Sequence, residues 1–370
     1  MALVKLLRHR RKAEIEAPFV TGRRPLSSMT VEEAHAILAQ LQELEFPYAF
    51  AEARRMALLK AGGIPTMSKL FAVTGRNNRR NAGKRAVDTE ILLREGQSQR
   101  RDSDGYAAAV ARMNYLHARY RRAHKITDND LLHTLGDGLF EVLNVVQREE
   151  WRSLTDVEGC ALGIFHNNLG EDMGIPFDAL PSAANGWKDG LHFASELSEW
   201  TIRYEEEVAR PTATNDQYVR VYVDSALPSF IAPAVRQILG ADLDERMRTS
   251  LGLEKPSAFL TLVLRLARNL RQLYNFKRKG LQPWYMRPTF WSKWSPEALL
   301  VMVFGGRMPG SCGDRYLPQG YDLMTTGPEP QKGRGLEEVG SDIAVIQARG
   351  GATCPFSQEK FVAPDEVAPL

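Results

Sequence analysis

The 370-residue chain has only three cysteines, Cys160, Cys312 and Cys354, far apart and odd in number, which excludes a disulfide-stapled scaffold. It also lacks any apolar run able to cross a bilayer. The longest nearly unbroken stretches, 258–264 and 298–304, fall far short of the roughly 20 residues that a spanning helix needs. Charge of one overall sign is missing as well, with 48 Lys and Arg against 45 Asp and Glu. No Gly-x-Gly-x-x-Gly, phosphate loop, His-Glu-x-x-His, Cys-x-x-Cys or Gly-x-Ser-x-Gly is present, so nucleotide hydrolysis, zinc hydrolysis and serine-esterase chemistry lack their minimal residues. The apolar residues of the N-terminus stop at Leu7, before Arg8, Arg10, Arg11 and Lys12, so no signal-peptide core follows the charge. A cytoplasmic protein is expected, with the basic N-terminal segment as a peripheral contact for a membrane surface.

What is present is the composition of an ordinary packed protein, 44% hydrophobic and 25% charged. The dominant period is helical. Thr30 with Glu33 and Thr127 with Asp130 read as capping boxes before apolar periodic runs. Helices are predicted over 30–44, 104–124, 128–146, 156–169, 190–209, 225–239 and 256–276. Only 217–223 (QYVRVYV) alternates like a strand, and one short strand cannot make a sheet. The predicted class is all-α, a single large helical domain over 30–325, preceded by a basic segment at 1–29. A Gly- and Pro-rich tail at 326–370 is expected to wrap the body or to be disordered.

Local charge is uneven. Residues 75–101 hold eight Lys or Arg against Asp88, Glu90 and Glu95, and 112–125 hold five with no acid. Such a basic region is either a solvated helix face or an attractor for an anionic group. No nucleic-acid module accompanies it, so nucleic acid is not an expected partner.

Among the seven histidines, His117 falls within the apolar stripe of the 104–124 helix, formed by Tyr106, Ala109, Val110, Met113, Leu116 and Tyr120. It therefore points into the core. Two readings stay open: a buried histidine bonded to a carbonyl, or an axial iron ligand of the kind found in globin-like haem pockets. His124 lies further along the same stripe, while Arg112, Arg119 and Arg122 read as solvent-facing or ion-paired. Arg85 and Thr89, spaced i, i+4, either sit near a helix start or set a guanidinium and a hydroxyl side by side in an apolar pocket. The stretch from Phe304 to Cys312 loosely matches the cysteine loop of thiolate-haem monooxygenases, but its spacing is one residue too long and its arginine is misplaced.

Taken together and in order, several pieces resemble a known family. They are Ile64-Pro65-Thr-Met-Ser-Lys-Leu, Thr74-Gly75, Lys84-Arg85-Ala-Val-Asp88-Thr89, Asn114-Tyr-Leu-His117-Ala-Arg119 and Ile126-Thr-Asp-Asn-Asp130-Leu-Leu. Leu154-Thr155-Asp156-Val-Glu158, Gly170-Glu-Asp-Met-Gly174-Ile175, Pro283-Trp-Tyr-Met-Arg-Pro-Thr-Phe-Trp291, Pro309-Gly310 and Pro318-Gln-Gly-Tyr321 follow. Over about Phe46 to Gly327 the chain resembles the MpaB-type oxygenases of fungi, relatives of the latex-clearing rubber oxygenases. The resemblance implies a globin-like helical core holding haem b, with His117 as proximal ligand and metal-binding residue. It also implies that Arg85 and Thr89 form the pocket pair. Where rubber oxygenases carry a lysine just before the pocket threonine, this chain has Asp88. The membrane-anchoring N-terminal helix of characterised fungal relatives is not found here, which favours a peripheral contact with the endoplasmic reticulum membrane.

The resulting expectation is a haem-dependent oxygenase of fungal secondary metabolism, using dioxygen to oxidise or cleave a C=C bond in a small apolar, prenyl or terpenoid substrate. Arg85, Thr89 and Asp88 would carry the catalytic roles. Two alternatives compete with it. One is a cofactor-free cyclase or isomerase using Asp88 or His124, and the other is a non-catalytic haem or lipid carrier.

Overall fold

Helix starts specified by side chains give the fold its frame. In the computed structural model, which describes residues 2–20, 24–74, 79–226, 232–278, 321–350 and 355–356, Thr30 accepts a hydrogen bond from the Glu33 N–H. Glu33 in turn accepts from the Thr30 N–H at 2.9 Å. Thr127 with Asp130 and Thr155 with Glu158 close the same reciprocal box. Each such cap stabilises its helix by roughly 0.5–2 kcal/mol and fixes where the chain enters the core.

The helices run α1 (Ala2–Glu16), α2 (Val31–Gln40, continued by a π turn at Leu41–Glu45), α3 (Pro47–Ala61), α4 (Pro65–Val73), α5 (Arg79–Ser98), α6 (Asp104–Arg122) and α7 (Asp128–Glu149). They continue as α8 (Asp156–Asp172), α9 (Gly190–Val208), α10 (Ala213–Ala226), α11 (Ala232–Asp242), α12 (Glu245–Ser250), α13 (Ala258–Arg278) and α14 (Leu336–Arg349). The class is all-α, with no strand among the described residues. The strand-like run 217–223 lies inside α10. Tyr218, Val219 and Tyr222 fall on one helical stripe at i, i+1 and i+4, with exposed Arg220 between them, so burial selects the helical period.

One large core joins α2, α3, α6, α7, α8, α9 and α14, with Leu139, Val145, Cys160, Phe193 and Leu197 fully enclosed. Helices α8 and α9 approach closely because both contact positions are glycine. A Cβ on Gly163 would lie 1.8 Å from the Gly190 carbonyl oxygen, and one on Gly190 would lie 2.3 Å from the Cys160 oxygen. A smaller cluster, Leu59, Ile64, Val219, Met247 and Leu251, sits between the end of α3, α10 and α12. Buried Asn215 ties it together, donating to the carbonyls of Gly63 and Ser250, both at 3.0 Å.

Two features position the candidate site. Helices α5 and α6 form an antiparallel hairpin across the short link 99–103. Arg85 and His117 each lie 13 positions from its turn (98 − 85 and 117 − 104), about 20 Å along their respective helices. The second feature is Arg112, which the sequence pattern assigns to solvent but which is fully buried. Its guanidinium donates to the carbonyls of Thr326 (2.9 Å), Arg334 (2.9 Å) and Gln331 (2.7 Å), fastening the 321–335 segment against α6. Beyond it, within the stretch expected to be a tail, Leu336–Arg349 is a helix whose Val339 and Ile346 are buried in the main core.

Candidate functional site

His117 stands on the second turn from the end of α6, where the helix has passed beyond the fully buried stripe of Tyr106, Ala109 and Val110. It is half-buried rather than enclosed in the core. It lines a cleft of about 370 Å³ open to solvent, together with Asn114, Arg121, Arg122, Asp342 and Arg349. Most of the charge around this cleft is internally balanced. Arg121 donates to the carbonyls of Met173 and Gly174 and pairs with Asp128 at 3.1 Å. Asp342 accepts from the Asn114 amide at 2.7 Å. Arg122 is exposed.

His124, read from the sequence as an acid-base alternative, is exposed and terminates α6 in the left-handed conformation, φ +50°. Its N–H donates to the Arg121 carbonyl at 2.9 Å, and the Lys125 N–H donates to the Tyr120 carbonyl at 2.8 Å. This is a helix-closing arrangement in which glycine is the usual occupant.

Arg85, Asp88 and Thr89 lie inside α5, which begins at Arg79, so Arg85 and Thr89 do share a helical face and neither caps the helix. The Arg85 guanidinium rests 4.1 Å over the Phe71 ring and donates from Nη2 to the Tyr218 hydroxyl at 3.2 Å. Its Nη1 is buried and has no hydrogen-bond partner among the described residues. A charged N–H left unsatisfied away from water is costly, and it is a ready donor for an oxygen brought by a ligand. Asp88 is buried within electrostatic reach of Arg112, and Thr89 is half-buried. Two and six residues beyond Arg85, Val87 and Ile91 form a small buried apolar cluster with Tyr321 and Leu323. None of the three α5 residues Arg85, Asp88 and Thr89 lines the His117 cleft. Cys312, Cys354 and the motif residues at 283–291, 309–310 and 318–320 lie outside the described residues.

A second polar centre was not singled out from the sequence. His133, Asp137 and Glu141 follow one another at i, i+4 and i+8 on α7, facing Lys60 of α3 and Glu205 of α9, all buried. That spacing, a polar stripe on a helix otherwise lined by Leu132, Leu135, Leu139 and Val142, was the available signal. The Lys60 ammonium lies 2.6 Å from Asp137, 3.0 Å from Glu141 and 2.8 Å from Glu205, and His133 Nε2 donates to Glu205 at 2.9 Å. Burial opposes the Lys60 charge, but Asp137, Glu205 and Glu141 outweigh it and hold Lys60 well above its ordinary value. Burial raises Asp137, and it pushes Glu141 up to about 7. Glu205, although buried, is held low by the His133 hydrogen bond and the Lys60 charge. Donor atoms of His133, Asp137 and Glu205 lie within 4.8 Å of one another, a set that also suits a metal ion. The ammonium already supplies the cation there. The arrangement is a buried ion cluster pinning α3, α7 and α9.

Could the residues on the hairpin accept haem? An imidazole on a cleft wall, arginines at the same rim and a buried guanidinium with a spare N–H provide the chemistry of an axial ligand, carboxylate partners and a donor to oxygen. The donor set fits. An all-α protein with an imidazole-lined cleft on α6 and a buried arginine on the neighbouring α5 is thus the class that fold and site define.

Comparison with known proteins narrows this. No protein-family model matches the chain. The chain is 32% identical over 387 residues, 96% of its own length and 91% of the relative's, to the ER-bound oxygenase mpaB' of Penicillium brevicompactum. It is 32% identical to the ER-bound oxygenase mpaB of the same organism, over 86% of this chain and 83% of that protein. To the ER-bound oxygenase mpaB of Penicillium roqueforti (strain FM164) it is 35% identical, over 67% and 85% of the respective lengths. The chain belongs to the MpaB oxygenase family.

Proposed function

We propose that this protein is a haem b-dependent oxygenase of fungal secondary metabolism that oxidises or cleaves a C=C bond in an apolar prenyl or terpenoid substrate, with dioxygen as co-substrate. Kinship to proteins named oxygenases supports the reaction class. The observation that carries the site assignment is the buried Arg85 Nη1 without a partner among the described residues, on α5, the helix packed against the α6 that bears His117.

In this reading His117 offers an imidazole nitrogen to the iron, and Arg122, on the same cleft, offers a cation for a haem carboxylate. Bound haem would supply the dioxygen and redox chemistry. Arg85 holds an oxygen atom by donation from Nη1, and Thr89, one turn along the same face, adds a hydroxyl that donates or accepts. Asp88 is the buried carboxylate in the same turn, facing the fixed charge of Arg112, and would serve as a positioned acceptor. The relatives are named ER-bound, and a peripheral contact with that membrane, with the basic N-terminal segment taking part, belongs to the same reading.

The test is dioxygen uptake by haem-supplemented protein offered prenylated aromatic substrates, with carbonyl or oxygenated products followed by mass spectrometry. Arg85→Leu should slow uptake on the order of a hundredfold, the cost of losing one preorganised donor. Absence of uptake across the substrate panel, or full activity in Arg85→Leu, overturns the assignment.

A further inference from the structure

A surface helix ordinarily turns its apolar stripe inward and its charges outward. Helix α13 does the reverse. Toward the body it presents Arg268, Arg271 and Gln272. Arg268 Nε lies 2.9 Å from Glu149 and the same guanidinium meets Asp242. Arg271 also pairs with Glu149 and stacks 3.8 Å over the Tyr48 ring, while Gln272 donates to the Arg148 carbonyl at 2.9 Å. On the outward side Phe259, Leu262, Val263, Leu266 and Leu270 are 75%, 55%, 41%, 54% and 67% exposed. At about 100° per residue these five fall within a single arc about 100° wide, and they extend about 17 Å along the axis. The helix also carries Arg265, Arg268, Arg271, Lys277 and Arg278 with no acidic residue.

We propose that α13 is the face by which this protein lies on an anionic lipid bilayer, with Phe259, Leu262, Val263, Leu266 and Leu270 entering the boundary between headgroups and acyl chains. An exposed apolar arc on a helix without acidic residues is the pattern of an in-plane interfacial helix, and exposed Arg265 is a cation left for anionic headgroups once Arg268 and Arg271 are held by Glu149 and Asp242. The ion pairs of Arg268 and Arg271 hold the helix to the body in this inverted sense, so the apolar arc stays outward without the membrane. The inference names the surface of the membrane contact and does not depend on haem or on the catalytic assignment.

The experiment is co-sedimentation of the full chain with vesicles of phosphatidylcholine alone, and of phosphatidylcholine with phosphatidylserine, for the parent and for Phe259→Ser/Leu266→Ser/Leu270→Ser. The altered positions are exposed, so a circular dichroism melt unchanged from the parent shows that the variant folds. The parent should sediment with the phosphatidylserine vesicles, less so at high salt, and the triple variant should partition roughly a hundredfold more weakly. A parent that ignores both vesicles overturns the membrane contact altogether. A triple variant that binds like the parent overturns α13 alone and leaves contact through another surface. A Leu266→Cys variant that resists maleimide without vesicles shows the arc covered by the chain itself. Dimerisation by light scattering that the triple variant abolishes shows a second copy as the occupant. Either outcome also overturns the proposal.

Discussion

Replacing Lys60 by methionine keeps roughly the length of the side chain and removes the ammonium that faces Asp137, Glu141 and Glu205. Breaking a buried ion cluster by deleting one partner costs about 3–5 kcal/mol, because the remaining charges are left in a medium that solvates them poorly. With an unfolding entropy of about 2.1 cal/mol/K per residue over 370 residues, or about 0.8 kcal/mol/K, that is a fall in Tm of about 4–6 °C. The penalty has a sign in pH. Without the ammonium the three carboxyls titrate higher in the folded state than unfolded, so they are tolerated while protonated and lose stability as pH rises. Thermal melts followed by circular dichroism should therefore show a larger deficit for Lys60→Met at about pH 8 than at about pH 5. Adding Glu205→Gln should recover part of the loss. A Lys60→Met protein as stable as the parent, or one worse at the acid end, would refute the ion-cluster reasoning.

Three further outcomes follow from the packing and titration of the fold. Arg112→Ala removes the donors to the Thr326, Gln331 and Arg334 carbonyls. Limited trypsin digestion should then cut the 321–349 segment first, whereas a segment as protected as in the parent contradicts the staple. Gly163→Ala would drive a Cβ into the Gly190 carbonyl and should cost about 3 kcal/mol or more in a urea melt. In the parent, Glu141 is raised from 4.5 to about 7 by burial, so its contribution is fully present below the lower value and is lost as pH rises toward the upper one. Glu141→Gln should flatten that part of the stability profile, and an unaltered slope assigns the titration elsewhere.

Much of the frame was legible because it is local. Thr30 and Glu33, or Thr127 and Asp130, need only each other to start a helix, and the apolar period of α7 continues to Glu149 past its predicted end. Where neighbours decide, the pattern misled. The alternation at 217–223 suits a strand until Tyr218 and Val219 are buried together, and Arg112 reads as a surface cation until the 326–334 carbonyls surround it. His117 was legible as lying on a special stripe, but its half-buried position on an open cleft depends on where α6 outruns the core. His124 follows the same stripe on a helical wheel, and only the turn after Arg122 takes it into solvent. The Lys60 cluster draws on three helices, and only its α7 portion, His133-x-x-x-Asp137-x-x-x-Glu141, has a signature within one segment. The roles proposed for Arg85, Thr89 and His117, which periodicity alone left open, rest on the family resemblance.

The most direct test of the haem reading is a visible absorption spectrum of the purified, haem-supplemented protein, oxidised and dithionite-reduced, beside that of His117→Ala. A Soret band in the parent that shifts or disappears in the variant, with both proteins giving the same circular dichroism, is the predicted result. A parent that retains no haem, or a band that His117→Ala leaves unchanged, contradicts the assignment of His117 as the iron ligand.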